Sequence, residues 1–138
     1  MSLGLYLHIP YCFSKCRYCD FYSHPGERGV PDAYVEALLR ELARFAPDAP
    51  LQPDTVYFGG GTPSLLRPEQ AKRLIDAAHP VPEAEITLEA NPETVTEESL
   101  AGFREAGVNR ISFGVQSARD TQLRTLGRRH TGKQSRAA

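Results

Sequence analysis

Apolar and polar positions change period in a regular order along the chain. Leu3-Gly4-Leu5-Tyr6-Leu7-His8-Ile9 is a short alternating apolar run stopped by Pro10, which predicts a strand. Residues 10–29 show no period, and Ser23-His24-Pro25-Gly26-Glu27-Arg28-Gly29 is turn-rich and polar, so this stretch reads as a loop. Over 32–46, Tyr34, Ala37, Leu38, Leu39, Leu42 and Phe45 recur at helical spacing, bounded by Pro31-Asp32 in front and by Pro47 and Pro50 behind. A strand at 55–58 runs into Gly59-Gly60-Gly61-Thr62-Pro63, and a helix over about 68–78 lines up Ala71, Leu74, Ile75 and Ala78. A strand at 85–90 stops at Asn91-Pro92. Thr96-Glu97-Glu98-Ser99 has the form of a helix N-terminus, and the helix carries Leu100, Phe103 and Ala106 before ending at Gly107. A fourth strand at 110–115, a short helix at about 119–126 and a last helical stretch opened by Thr131 follow.

Strand and helix thus alternate four times with short connections, which predicts an α/β fold of parallel βα units with right-handed crossovers. Four units neither close a barrel nor balance a doubly wound sheet. The edge of the last strand would also stand unpaired and apolar. Residues 1–138 therefore read as the N-terminal part of a longer core domain, or as a gene fragment.

Charge narrows the partners. A formal net charge of −1 gives no global attraction to nucleic acid or membrane. Arg119, Arg124, Arg128, Arg129, Lys133 and Arg136 face only Asp120, and for most of them a solvated helix face suffices. No apolar run approaches the ~20 residues of a bilayer-spanning helix. Met1-Ser2-Leu3-Gly4 leads straight into a strand without the pattern of a signal peptide. With an odd number of cysteines, this points to a reducing, cytoplasmic setting.

The chemistry concentrates in Cys12-x3-Cys16-x2-Cys19. Three thiolates leave a four-coordinate metal site open. Zinc closed by His8 or His24 is one reading, that of a zinc-stabilised binding module. A single run of closely spaced cysteines, flanked by Tyr11, Phe13, Tyr18, Phe21 and Tyr22, suits an iron–sulfur cluster with one iron free. Gly59-Gly60-Gly61 lacks the Gly-Lys-Ser/Thr of a phosphate loop and the spacing of a dinucleotide fingerprint. It suits either close approach of a ligand to the backbone or a tight turn. Glu89 and Gln116 close strands as acceptor and amide, and Arg128 has the fork to hold a carboxylate. His8 reads as a strand histidine and His130 as a helix-end residue. These features gather at the C-terminal ends of strands, where parallel α/β folds bind ligands.

Cys12-x3-Cys16-x2-Cys19, with Tyr18 before the last cysteine, resembles the signature of the radical S-adenosylmethionine (SAM) superfamily. Tyr6-Leu7-His8-Ile9-Pro10-Tyr11-Cys12, Gly59-Gly60-Gly61-Thr62-Pro63-Ser64, Glu89-Ala90-Asn91-Pro92 and Phe113-Gly114-Val115-Gln116-Ser117 together resemble the oxygen-independent coproporphyrinogen III oxidase-like group. The resemblance implies a partial (βα)6 radical SAM barrel, about four βα units of it present, truncated before closure. It implies a [4Fe-4S] cluster on Cys12, Cys16 and Cys19, with SAM on the open iron. Tyr6, Gly60 and Glu89 match positions for that SAM. Tyr18, Gly61, Thr62, Gln116 and Arg128 match positions for a second SAM in the oxidases. The implied chemistry is one-electron reduction of SAM to methionine and a 5′-deoxyadenosyl radical, which in the oxidases drives decarboxylation of propionates. Where the oxidases carry Cys-Gly-Cys, this chain has Cys19-Asp20-Phe21. With Ser23-His24 and Leu126-Gly127-Arg128-Arg129-His130, that resembles the haem chaperone (HemW-like) branch. This branch keeps the cluster and the SAM site, binds haem and delivers it to an acceptor protein.

Overall fold

The computed structural model describes residues 2–12, 17–18, 24–25 and 29–138. Among these, six strands follow in chain order: β1 (Gly4–Ile9), β2 (Tyr11–Cys12), β3 (His24–Pro25), β4 (Thr55–Gly60), β5 (Glu85–Ala90) and β6 (Arg110–Phe113). Five α-helices accompany them: α1 (Asp32–Phe45), α2 (Pro68–Ala78), α3 (Glu97–Ala106), α4 (Asp120–Leu126) and α5 (Gly132–Ala137). β1, β4, β5 and β6 form one parallel sheet in that spatial order. This is the α/β architecture the alternating periods predict. β2 and β3 pair as a separate two-stranded piece within the stretch read as loop.

The two faces of the sheet differ because side chains alternate along each strand. One face carries Leu7, Ile9, Val56, Phe58, Ile86 and Leu88, and buries them against Val35, Leu42, Ala71, Leu74, Ile75 and Phe103 of α1, α2 and α3. The other face carries Tyr6, His8, Tyr57, Glu89 and Ser112, which are all partly or largely exposed. All the burial of α1 to α3 thus lies on one side, and the polar face is left for ligands.

Local chemistry sets the helix limits. Thr96 Oγ1 accepts from Ser99 N at 3.1 Å and Ser99 Oγ accepts from Thr96 N at 2.9 Å, so the two side chains satisfy orphan donors at the start of α3. Gly107 ends that helix at φ 114°, with its N–H turned back to Arg104 and Phe103. Thr131 and Gln134 cap α5 in the same reciprocal way. The starts of α1 and α2 are tied together by buried Gln70, which donates to Val30 O at 2.9 Å and to Asp32 Oδ1 at 2.8 Å.

Two strand ends differ from the sequence expectation. β4 runs two residues further, through Gly59 and Gly60, because these pair with His8 and Ile9 of β1. β6 stops at Phe113 rather than at 115. Val115 N bonds to Phe113 O at 3.0 Å and Ser117 N to Val115 O at 2.8 Å, so the chain curls on itself instead of extending the ladder. Short 3-10 turns at Pro63–Leu65 and Pro92–Thr94 follow β4 and β5. Each starts on a proline, which fits the first helical position but is too short to leave a periodic signal. Among the described residues, no helix is long and apolar enough to cross a membrane.

Phe58 is fully buried at the centre of this core. Phe58→Ala should lower unfolding free energy by about 3–5 kcal/mol. Chemical denaturation followed by circular dichroism measures it; a loss below about 1 kcal/mol would contradict a core centred there.

Candidate functional site at the strand ends

On the open face, β1 and β4 run in register so that Tyr6 lies beside Tyr57. Their rings stack with centroids 6.1 Å apart and planes 16° apart. Tyr6, 56% exposed, places its hydroxyl 3.2 Å from His8 Nδ1. Tyr57 donates its hydroxyl to Glu89 Oε1 at 2.7 Å, across to β5. The two phenols titrate above the ordinary range. Burial holds Tyr6 up first and the negative charge of Glu89 second. For Tyr57 the hydrogen bond to Glu89 comes first, opposed in part by Ser112 and Arg110. Both phenols therefore stay neutral near neutral pH. The result is an aromatic wall beside a carboxylate whose orientation is set by a phenolic donor. Such a group accepts from an ammonium or from ribose hydroxyls.

The glycine run makes this wall possible. A Cβ on Gly59 would stand 2.8 Å from Tyr6 Cε2 and 3.0 Å from Tyr57 Cε1. On Gly60, at φ +116°, it would stand 2.7 Å from His8 Cε1. On Gly61 it would stand 2.6 Å from the backbone oxygen of Tyr11. The positive φ of Gly60 and the backbone of Tyr11 against Gly61 therefore require glycine at these two positions, while at Gly59 a Cβ would displace the Tyr6 and Tyr57 rings. Beyond the glycines, Gly61 N donates to Ile9 O at 2.8 Å and Thr62 N to Tyr11 O at 2.7 Å. Tyr34 donates to His8 O at 2.6 Å and meets the Tyr11 ring edge-on at 5.3 Å. These contacts anchor the chain as it enters the cysteine stretch. Cys12 stands there as a free, buried thiol. Cys16 and Cys19, with the ligand roles expected for them, lie outside the described residues.

A second group gathers at the ends of β4, β5 and β6. Arg128 Nη1 donates to the Tyr18 hydroxyl at 3.1 Å. Its Nη2 donates to Gly114 O at 2.7 Å and to Asn91 Oδ1. Asn91 Nδ2 in turn donates to the hydroxyl of buried Thr62 at 3.3 Å. Arg128 is therefore not a surface charge. It ties three strand ends to the loop that carries the cysteines. Gly114 leaves room for this, since a Cβ there would stand 2.8 Å from Asn91 Oδ1 and 3.5 Å from Gln116 Nε2. Gln116 sits beside the network in a left-handed conformation at φ 64°.

The residues singled out from sequence thus fall into two clusters: Tyr6, Gly60 and Glu89 on the sheet face, and Tyr18, Thr62, Arg128 and Gln116 around Asn91, with Gly61 between. Tyr57, Asn91 and Gly114 were missed as site residues. Tyr57 had a signal. It stands two positions before Gly59, as Tyr6 stands two positions before His8, and the parallel pairing of His8 with Gly59 brings the two rings together.

The model of the radical SAM superfamily matches residues 6–138. The chain belongs to the radical SAM superfamily. The heme chaperone HemW of Escherichia coli (strain K12) is 44% identical, over 99% of this chain and 38% of its own length. HemW of Mycobacterium tuberculosis (strain ATCC 25618 / H37Rv) is 43% identical, over 98% of this chain and 37% of its own. A solved structure of coproporphyrinogen III oxidase (HemN) from Escherichia coli, described as a radical SAM enzyme, superposes with a TM-score of 0.87 at 30% identity, covering 99% of this chain and 33% of that one. The chain therefore spans less than two fifths of the length of these relatives. Membership of the superfamily implies SAM and an iron–sulfur cluster as cofactors.

The site yields two predictions. A phenol with a raised pKa stabilises the fold below its unfolded value of about 10, and that contribution is lost as pH rises through the folded value. Glu89→Gln should therefore lower the ionisation midpoints of Tyr6 and Tyr57 toward about 10 and shrink the alkaline loss of stability. Ultraviolet titration of tyrosinate reads the midpoints, and unchanged midpoints would contradict the coupling. Gly61→Ala should cost about 1–3 kcal/mol in thermal or chemical unfolding, because the backbone of Tyr11 must shift.

Proposed function

We propose that this chain is the cluster- and SAM-binding part of a haem chaperone-like radical SAM protein of haem metabolism. The observation that supports the reading is a pair of polar clusters on one parallel sheet, Tyr57 with Glu89 on its open face and Arg128 with Asn91 and Tyr18 at its strand ends, beside the separate strand that carries buried Cys12. The groups present suit the cofactors. The thiol of Cys12 is buried, and the Glu89 carboxylate has a fixed donor beside an exposed aromatic face.

In this reading Cys12, Cys16 and Cys19 hold a [4Fe-4S] cluster and leave one iron for SAM. Tyr6, Gly60 and Glu89 surround the SAM on that iron, Glu89 accepting from its polar groups while Tyr6 and Tyr57 exclude water. Tyr18, Gly61, Thr62, Gln116 and Arg128 form the further wall, at the positions that hold a second SAM in the oxidases. When bound, the cluster supplies the electron for reductive cleavage of SAM. Haem as cargo and a haem-accepting protein as partner follow from the relatives named heme chaperone. The thiolate ligands suit a reducing, cytoplasmic compartment. Chaperone is preferred to decarboxylase because of Cys19-Asp20-Phe21 and the higher identity to HemW than to HemN.

Anaerobic reconstitution of the full-length protein with iron and sulfide should give the broad visible absorption of a [4Fe-4S] cluster. SAM should perturb the EPR signal of the reduced form. Cys12→Ala or Cys16→Ala should lose the cluster, and Glu89→Gln should weaken SAM binding about 10- to 100-fold, the loss of one charged hydrogen bond. Iron binding by Cys16→Ala equal to wild type, or stoichiometric zinc without sulfide, would overturn the assignment. Haem binding without turnover of coproporphyrinogen supports the chaperone; turnover supports the oxidase.

A further inference from the structure

One buried polar pair near the site has no task in this reading. His130 precedes α5 and is 2% exposed. Its Nε2 lies 3.0 Å from the carbonyl oxygen of Val115. A carbonyl only accepts, so Nε2 carries the hydrogen and donates. On the other side of the ring, Nδ1 lies 3.1 Å from Glu93 Oε2, and neither atom has another partner among the described residues. That contact is a hydrogen bond only with a proton between the two atoms, on either the imidazole or the carboxyl group. Without it, two buried lone pairs would face each other, an arrangement a fold does not retain cheaply.

The two ends of this chain of contacts matter. Glu93 sits in the Pro92–Thr94 turn after β5, which Asn91 N braces by donating to Thr94 Oγ1 at 3.1 Å. Val115 immediately precedes Gln116, whose left-handed φ of 64° is unfavourable for a residue with a Cβ. Something must hold the chain there. Arg128 takes the carbonyl of Gly114 and His130 takes the carbonyl of Val115, so successive carbonyls are captured from one short segment.

We propose that His130, held by Glu93, is a positioning residue that fixes the Val115 carbonyl and with it the turn presenting Gln116 to the strand-end site. The consequence for SAM rests on the reading of Gln116 given above; the consequence for the turn does not. Amide hydrogen exchange at 114–117 and SAM affinity, both in the reconstituted full-length protein, separate the two. His130→Ala should speed exchange at these amides and weaken SAM binding, each about tenfold, as expected for one lost hydrogen bond, with iron content unchanged. Glu93→Gln should leave both within about twofold of wild type, because its amide donates to a neutral Nδ1. His130→Leu fills the space without a donor toward Val115 and serves, with the same expected outcome, if the alanine variant fails to fold. Exchange at 114–117 unaltered in the folded His130 variants, or a nitrogen NMR spectrum showing Nε2 without its hydrogen, would overturn the proposal. Faster exchange with unaltered SAM affinity would sustain the positioning role and overturn the cofactor role of Gln116.

Discussion

The arrangement depends on a steric constraint between the first two strands of the sheet. Tyr6, His8 and Tyr11 occupy the space where Cβ atoms of residues 59, 60 and 61 would be. With glycine there, β4 continues alongside β1 to its end, and the next backbone groups catch Ile9 and Tyr11. The same approach lays the Tyr6 ring on Tyr57, and Tyr57 reaches Glu89. Removing the glycine at 59 would push on the aromatic wall; removing it at 61 would push on the segment that leads to Cys12. One local requirement thus sets both the face that meets a ligand and the entry of the metal-ligand loop.

Parallel sheets are ordinarily covered on both faces. Here the second face is built for something other than a helix. Leu7, Val56, Phe58 and Leu88 bury one side, while hydroxyl, imidazole and carboxylate groups pair with one another on the other. Those pairings satisfy the groups without an apolar neighbour. They also leave Tyr6 more than half exposed and the Glu89 carboxylate oriented rather than neutralised. A face of this kind loses little on meeting water and can exchange it for a polar cofactor.

The elements were legible in the sequence because period and punctuation are local. Tyr34 to Phe45, Thr96 and Gly107 give the helices away before any contact is known. The cysteine spacing and four strand-end motifs gave the family for the same reason. What was not legible depends on registry and burial. Nothing local says that Gly59 lies under Tyr6, that strand pairing continues to Gly60, or that β6 gives way to tight turns after Phe113. Arg128 and His130 lie in a basic, polar stretch that reads as surface, yet both are drawn inward by partners more than a dozen residues away. Only the folded chain brings Asn91, Gly114 and Tyr18 to the same guanidinium.

The two carboxylates at the end of β5 show how neighbours, more than residue type, divide the labour. Glu89 points to the open face and accepts from Tyr57, a neutral donor that orients it without removing its charge. Glu93, four residues on, lies against a fully buried imidazole, with its side chain only 17% exposed. A ligand can recruit the first by offering hydrogens, since solvent already reaches that face. Recruiting the second would strand Nδ1 of His130 in the interior, at the cost of an unsatisfied buried polar atom. Glu89 is therefore suited to exchange partners when a cofactor arrives, and Glu93 to keep its partner and hold the turn at Gln116 in place while it does.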